Sequence, residues 1–172
     1  MKYIITLFVA ISLFASTNAQ TKDTKVEGFR DFKWGEEMSG MKVNGELANF
    51  IKMEKENVKD GDYYILAEES LMIGNVLLSS IEYVFSKKDA RFFKVVLTGK
   101  KIDSEQMHFI VDYKYGENVN EDTKDDRVIT EWLINNVSIT MKDYTLHKFE
   151  LTLKSDWEAA EAYRKNTNVS DF

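Results

Sequence analysis

The chain has 172 residues, of which 44% are hydrophobic, 30% charged and 13% aromatic, a make-up that excludes a disordered or membrane-spanning chain. Its formal charge is −6, so counterion release does not favour nucleic acid and general adhesion to anionic lipid is opposed. Cysteine is absent and the only histidines are His108 and His147, which leaves no disulfide framework, thiolate metal ligand or cysteine nucleophile.

Lys2 followed by the apolar run Tyr3–Phe14 and the small residues Thr17 and Ala19 predicts a signal peptide cleaved after Ala19. The run is too short to cross a bilayer of about 30 Å as a permanent helix. The mature chain is therefore expected in the periplasm or outside the cell, without stable membrane insertion. Residues 20–28 are polar and predict a flexible leader.

From Phe29 a short extended piece runs to Gly35, followed by one or two helical turns from Glu36 that Gly40 and Gly45 keep short. Lys59-Asp60-Gly61-Asp62 predicts a tight type I′ hairpin joining strands near Ala48–Lys55 and Tyr63–Glu69, although Leu47, Phe50, Ile51 and Glu54 fit a helical period equally well for the first. Val76–Ser86 and Arg91–Thr98 read as strands around the turn at Lys87-Lys88-Asp89-Ala90, with Ile81, Tyr83 and Phe85 facing one way and Glu82 and Val84 the other. Ile102–Gly116 predicts a helix capped by Asp103, with Gln106 completing a capping box and Gly116 at the C′ position. Asn118–Arg127 reads as a charged loop.

Three strands follow, at Val128–Asn135, Val137–Lys142 and Thr145–Lys154. The last alternates most cleanly: His147, Phe149, Leu151 and Leu153 against Lys148, Glu150, Thr152 and Lys154. Ser155-Asp156-Trp157-Glu158 is a capping box that predicts a closing helix to about Lys165, before a tail over residues 166–172. Together these elements predict an α+β fold over residues 29–165: a single antiparallel sheet with short helices packed on one face.

Chemical motifs are few. Glu36-Glu37, Glu68-Glu69 and Asp125-Asp126 are adjacent carboxylates, which on strands point to opposite faces and read as solvated surface. Asn120, Asp122 and Glu131 fit the first, third and twelfth positions of a calcium loop, but Lys124 at the fifth and Asp125 at the sixth oppose it. No serine-hydrolase, Walker or dinucleotide pattern is present. Neither a metal nor a cofactor is expected. The polar side of the sheet is the candidate binding surface, with Glu82, Lys94, Thr140, Lys148, Glu150 and Thr152 as its residues.

The segment Phe29-x-x-Phe32-x-Trp34-Gly35 resembles the F-x-x-x-x-W-G opening of small exported bacterial proteins of unknown function, such as those of Bacteroidota. Ile81-Glu82-Tyr83-Val84-Phe85, Tyr113-x-Tyr115-Gly116 and the Trp132 strand extend the likeness. The arrangement is also loosely similar to β-lactamase-inhibitor-like and outer-membrane-assembly lipoprotein domains, although no lipidated cysteine is present. The expected function is a non-catalytic envelope module that uses the polar sheet face to bind an unknown protein or envelope component. The alternatives are a carboxylate-dependent envelope hydrolase and a purely structural envelope protein.

Overall fold

Apolar residues at alternate positions put one face of a strand against the core, and in this chain that pattern runs through most of the structure. The computed structural model describes residues 26–56, 58–134 and 136–156. Among these residues thirteen strands form: β1 Gly28–Phe29, β2 Phe32–Lys33, β3 Lys42–Val43, β4 Glu46–Leu47, β5 Phe50–Lys52, β6 Asp62–Leu66, β7 Met72–Ile73, β8 Val76–Phe85, β9 Phe92–Lys100, β10 Asn120–Lys124, β11 Arg127–Ile134, β12 Val137–Tyr144 and β13 Lys148–Ser155. One α-helix, α1, spans Ser104–Tyr115.

The main sheet is antiparallel, in the order β10-β11-β12-β13-β9-β8-β6-β5, with β7 paired to β8 off that path. It consists of two runs of antiparallel neighbours, one before α1 and one after it. The chain's return places β13 beside β9, in a register that sets Leu151 opposite Leu97 and Glu150 opposite Thr98. The inner face is apolar: Ile81, Tyr83 and Phe85 on β8, Val95 and Leu97 on β9, Ile139 and Met141 on β12, and Phe149, Leu151 and Leu153 on β13 are all buried. Each large side chain so buried contributes roughly 1.5–3 kcal/mol.

Two small hairpins, β1–β2 and β3–β4, help cover one half of that face, burying Phe32 and Met41. Phe32 and Phe50 meet Tyr83 at centroid distances of 5.4 and 5.5 Å, and Trp34 stacks on Phe92 at 4.7 Å. Helix α1 contributes Met107 and Val111 to the same core. Gly99 is required where β9 passes beneath Phe149, because an added Cβ would lie inside the ring.

The α+β expectation is overturned. Among the described residues the protein is mostly β, with 53% in strands and 14% helical, the latter dominated by one 15-residue helical stretch. Helix from Glu36 does not develop beyond a 3-10 turn at Met38–Gly40, and Glu37 instead bridges Arg91 in β geometry. The charged segment expected as a loop contains β10, whose residues are all exposed. An edge strand exposed on both faces carries no alternation to read.

The I′ hairpin is also corrected. Lys52 pairs with Tyr64, so residues 53–61 form a long connection, and Gly61 is not among the glycines with positive φ. Asp103 makes no side-chain cap bond, although Gly116 does end α1 at φ +97° with its N–H on the carbonyl of Asp112. His147 is exposed ahead of β13 instead of on its apolar side. The signal peptide, most of the leader, the closing helix from Trp157 and the tail lie outside the described residues.

Candidate functional site

The sheet brings all six expected residues to its outer face. Glu82, Val96, Thr152, Thr140 and Glu131 follow one another across neighbouring strands. A second row runs from Thr98 through Glu150 to Lys142, while Lys94 and Lys148 lie on either side of these rows. Thr140, Glu150 and Thr152 are half-buried and Lys148 is exposed. Glu150 lies 3.8 Å from both Lys142 and Lys148, a loose surface grouping worth little in stability.

Glu82 and Lys94 are set apart from the other four: they are 8% and 7% exposed. The connection after β5 folds over this part of the face and brings its own charges. Lys55 pairs with Glu82, Asp60 pairs with Lys94, and the Tyr63 ring lies between the two lysines, 4.4 Å from one Nζ and 4.8 Å from the other. Lys94 Nζ also donates to the Tyr63 hydroxyl at 2.6 Å.

Burial pushes the Asp60 carboxyl up, but the bond and charge of Lys94 outweigh it and hold the pKa below the usual aspartate range. Desolvation favours neutral Lys94, yet Asp60 and Tyr63 raise its pKa on balance. Gly61 permits the close approach, since a Cβ there would sit 2.6 Å from Val84 Cγ1 and 2.7 Å from the Phe85 carbonyl. Among the described residues the outer face is therefore covered over β6 and β8 and uncovered over β13, β12 and β11.

On the opposite side, a cleft of about 430 Å³ opens between the small hairpins and the turn after β6. Glu69 forms its floor: the side chain is 6% exposed and accepts bonds from the Tyr83 hydroxyl and the Arg30 guanidinium. Arg30 also donates to the carbonyls of Ser70, at 2.7 Å, and Met72, at 3.3 Å. Desolvation raises the Glu69 pKa, only partly opposed by Tyr83 and Arg30, and burial with the nearby Glu69 charge raises that of Tyr83. Arg30, Asn44 and Glu68, all lining this cleft, have φ of 54°, 52° and 59°. Non-glycine residues held in that region store strain.

Sequence reading passed over Glu69 as half of a solvated pair. The two carboxylates do separate, but Glu68 sits at a left-handed turn and Glu69 turns inward, which adjacent acids alone do not reveal. Asn120 and Glu131, the ends of the partial calcium pattern, face each other across the β10–β11 ladder, with Asn120 Nδ2 donating to Glu131 Oε2 at 3.1 Å. They flank strands instead of wrapping around an ion. Among the aromatic residues, Tyr83, Phe92 and Trp132 are core, whereas Tyr113 is exposed on α1.

Comparison with protein-family models, curated proteins and solved structures finds no match to this chain.

Proposed function

We propose that the chain is an exported, non-catalytic binding module of the bacterial envelope, which holds a protein or envelope component on the uncovered outer face of β13, β12 and β11. The observation that carries this reading is the row Thr152, Thr140 and Glu131, running across β13, β12 and β11 with two short hydroxyl side chains side by side. Neighbouring strands are about 4.8 Å apart, so such a strip offers a flat surface wide enough for a partner strand, helix or glycan. Exposed Leu133 borders it, and Glu150, Lys142 and Lys148 supply charges at its margin. The F-x-x-x-x-W-G opening and the leader-like start support the envelope setting.

The test is a photo-crosslinking residue placed at Thr140 or Thr152 of the full chain in bacterial cells. A discrete adduct is expected at both positions and is expected to vanish when Thr98→Arg is added. Cells yielding only uncoupled chain at both positions would sink the reading.

One observation favours the hydrolase reading instead: Glu69 lines a cleft together with Asp31, Glu46 and Glu68, and its pKa is raised. Under that reading Glu69→Gln abolishes turnover of an envelope glycan or peptide while leaving outer-face adducts intact.

A further inference from the structure

A second cavity, of about 410 Å³, lies at one end of the outer face, where three separate segments meet. Lys59 comes from the connection after β5, Lys87 and Lys88 from the turn between β8 and β9, and Lys154 from the end of β13. Asp60 and Asp156 are the acids that line it. Asp60 is engaged by Lys94, so four ammonium groups outnumber the remaining carboxylate. Lys59, Lys88 and Lys154 form no ion pair among the described residues. This concentration of positive charge belongs to a chain whose formal charge is −6.

The cavity is built by packing. Lys87 Nζ donates to the Val58 carbonyl at 2.9 Å, tying the connection to the turn. Gly61 lets that connection settle on Val84 and Phe85, beside Phe93 on β9. The turn is closed by Ala90 N–H on the Ser86 carbonyl at 2.9 Å, with Ala90 held at φ 52°. Like charges gathered on a fixed concave surface repel one another, and a bound anion relieves that repulsion. Four lysines from three directions suit a compact, multiply charged anion, because each ammonium acts as a point charge. A planar carboxylate is better matched by the fork of an arginine. The volume is that of a small-ligand site.

We propose that this cavity is an anion site that takes a phosphate group, carried either by a soluble phosphate compound or by a lipid headgroup. It requires nothing of the Thr98–Thr140–Thr152 surface and stands or falls separately from it.

The test is titration of the full chain with inorganic pyrophosphate, followed by amide chemical shifts. A parallel arm measures co-sedimentation with phosphatidylcholine vesicles with and without phosphatidylglycerol. Saturable shifts centred on Lys59, Lys88, Phe93 and Ser155 are expected, weakening by about tenfold or more in Lys88→Ala/Lys154→Ala. Lys42→Ala/Lys100→Ala, which removes two exposed lysines elsewhere, is expected to bind as the parent does. Shifts without sedimentation assign a soluble phosphate compound; phosphatidylglycerol-dependent sedimentation lost in Lys88→Ala/Lys154→Ala assigns a headgroup. The proposal is overturned if neither arm shows saturable binding, or if both double variants weaken it equally.

Discussion

Glu69 and Asp60 show how the same side-chain chemistry is driven in opposite directions by its surroundings. Glu69 is held where desolvation outweighs its partners, so its pKa is raised; Asp60 lies where Lys94 outweighs desolvation, so its pKa is lowered. The linkage signs follow. A raised carboxyl pKa adds stability that is complete below the unfolded value, about 4.3 for glutamate, and is lost as pH rises through the folded value. A lowered one adds stability that is present above about 3.9 and is lost as pH falls through the folded value. The stability of the parent relative to Glu69→Gln is therefore expected to grow on acidification from neutrality, then level off below the ordinary glutamate range. Relative to Asp60→Asn it is expected to shrink, at still lower pH. Urea unfolding across that range checks both, and a Glu69→Gln difference that shrinks on acidification would contradict a Glu69 carboxyl whose pKa desolvation raises. At this scale the sequence showed which side of the strand Glu82 and Lys94 occupy. It did not show that a distant connection seals them in.

Helix α1 is joined to the sheet by a small polar cluster beside its apolar stripe. Trp132 Nε1 donates to Asp112 Oδ1 at 2.8 Å, His108 Nδ1 lies 3.0 Å from Asp112 Oδ2, and the imidazole meets the indole edge-on at 5.0 Å. Trp132 is buried, so replacing it removes packing and also strands Asp112 without its donor. Trp132→Phe is expected to cost about 2–3 kcal/mol and to speed amide exchange in Met107–Tyr115 more than in β8 and β9. Equal acceleration in both regions would show that Trp132 holds the whole core and not the helix. The helix itself was legible from Gly116, which ends it as expected, although Asp103 makes no side-chain cap bond. The strand β10 was not legible: pairing with β11 needs only backbone groups, and backbone groups are the same in every residue. One or two helical turns were expected from Glu36, but Gly40 follows too soon for a helix to offset its nucleation, and only the 3-10 turn at Met38–Gly40 forms.

For the whole molecule, the pairing of β13 with β9 joins the halves of the chain and creates one broad sheet with two differently used faces. The inner face is filled by the hairpins and α1; among the described residues the outer face is covered at one end and open at the other. A chain with no cysteine has no disulfide to add to that packing and depends on it for its stability. Full-length chain expressed in a bacterial host is expected to appear in the envelope fraction with Gln20 as its first residue, as read by intact mass. Recovery of uncleaved chain in the cytoplasm would remove the envelope setting from the proposed function. The sequence by itself determined the strand alternation, the face on which Lys148, Glu150 and Thr152 lie, and the acidic, cysteine-free character of the surface, because these depend on residue type and a period of two. Tertiary structure alone decided the buried Glu69–Tyr83–Arg30 contact, the lid over Glu82 and Lys94, and the meeting of Lys59, Lys87, Lys88 and Lys154. Each of these joins residues far apart in the chain, and no local pattern encodes which distant segments will touch.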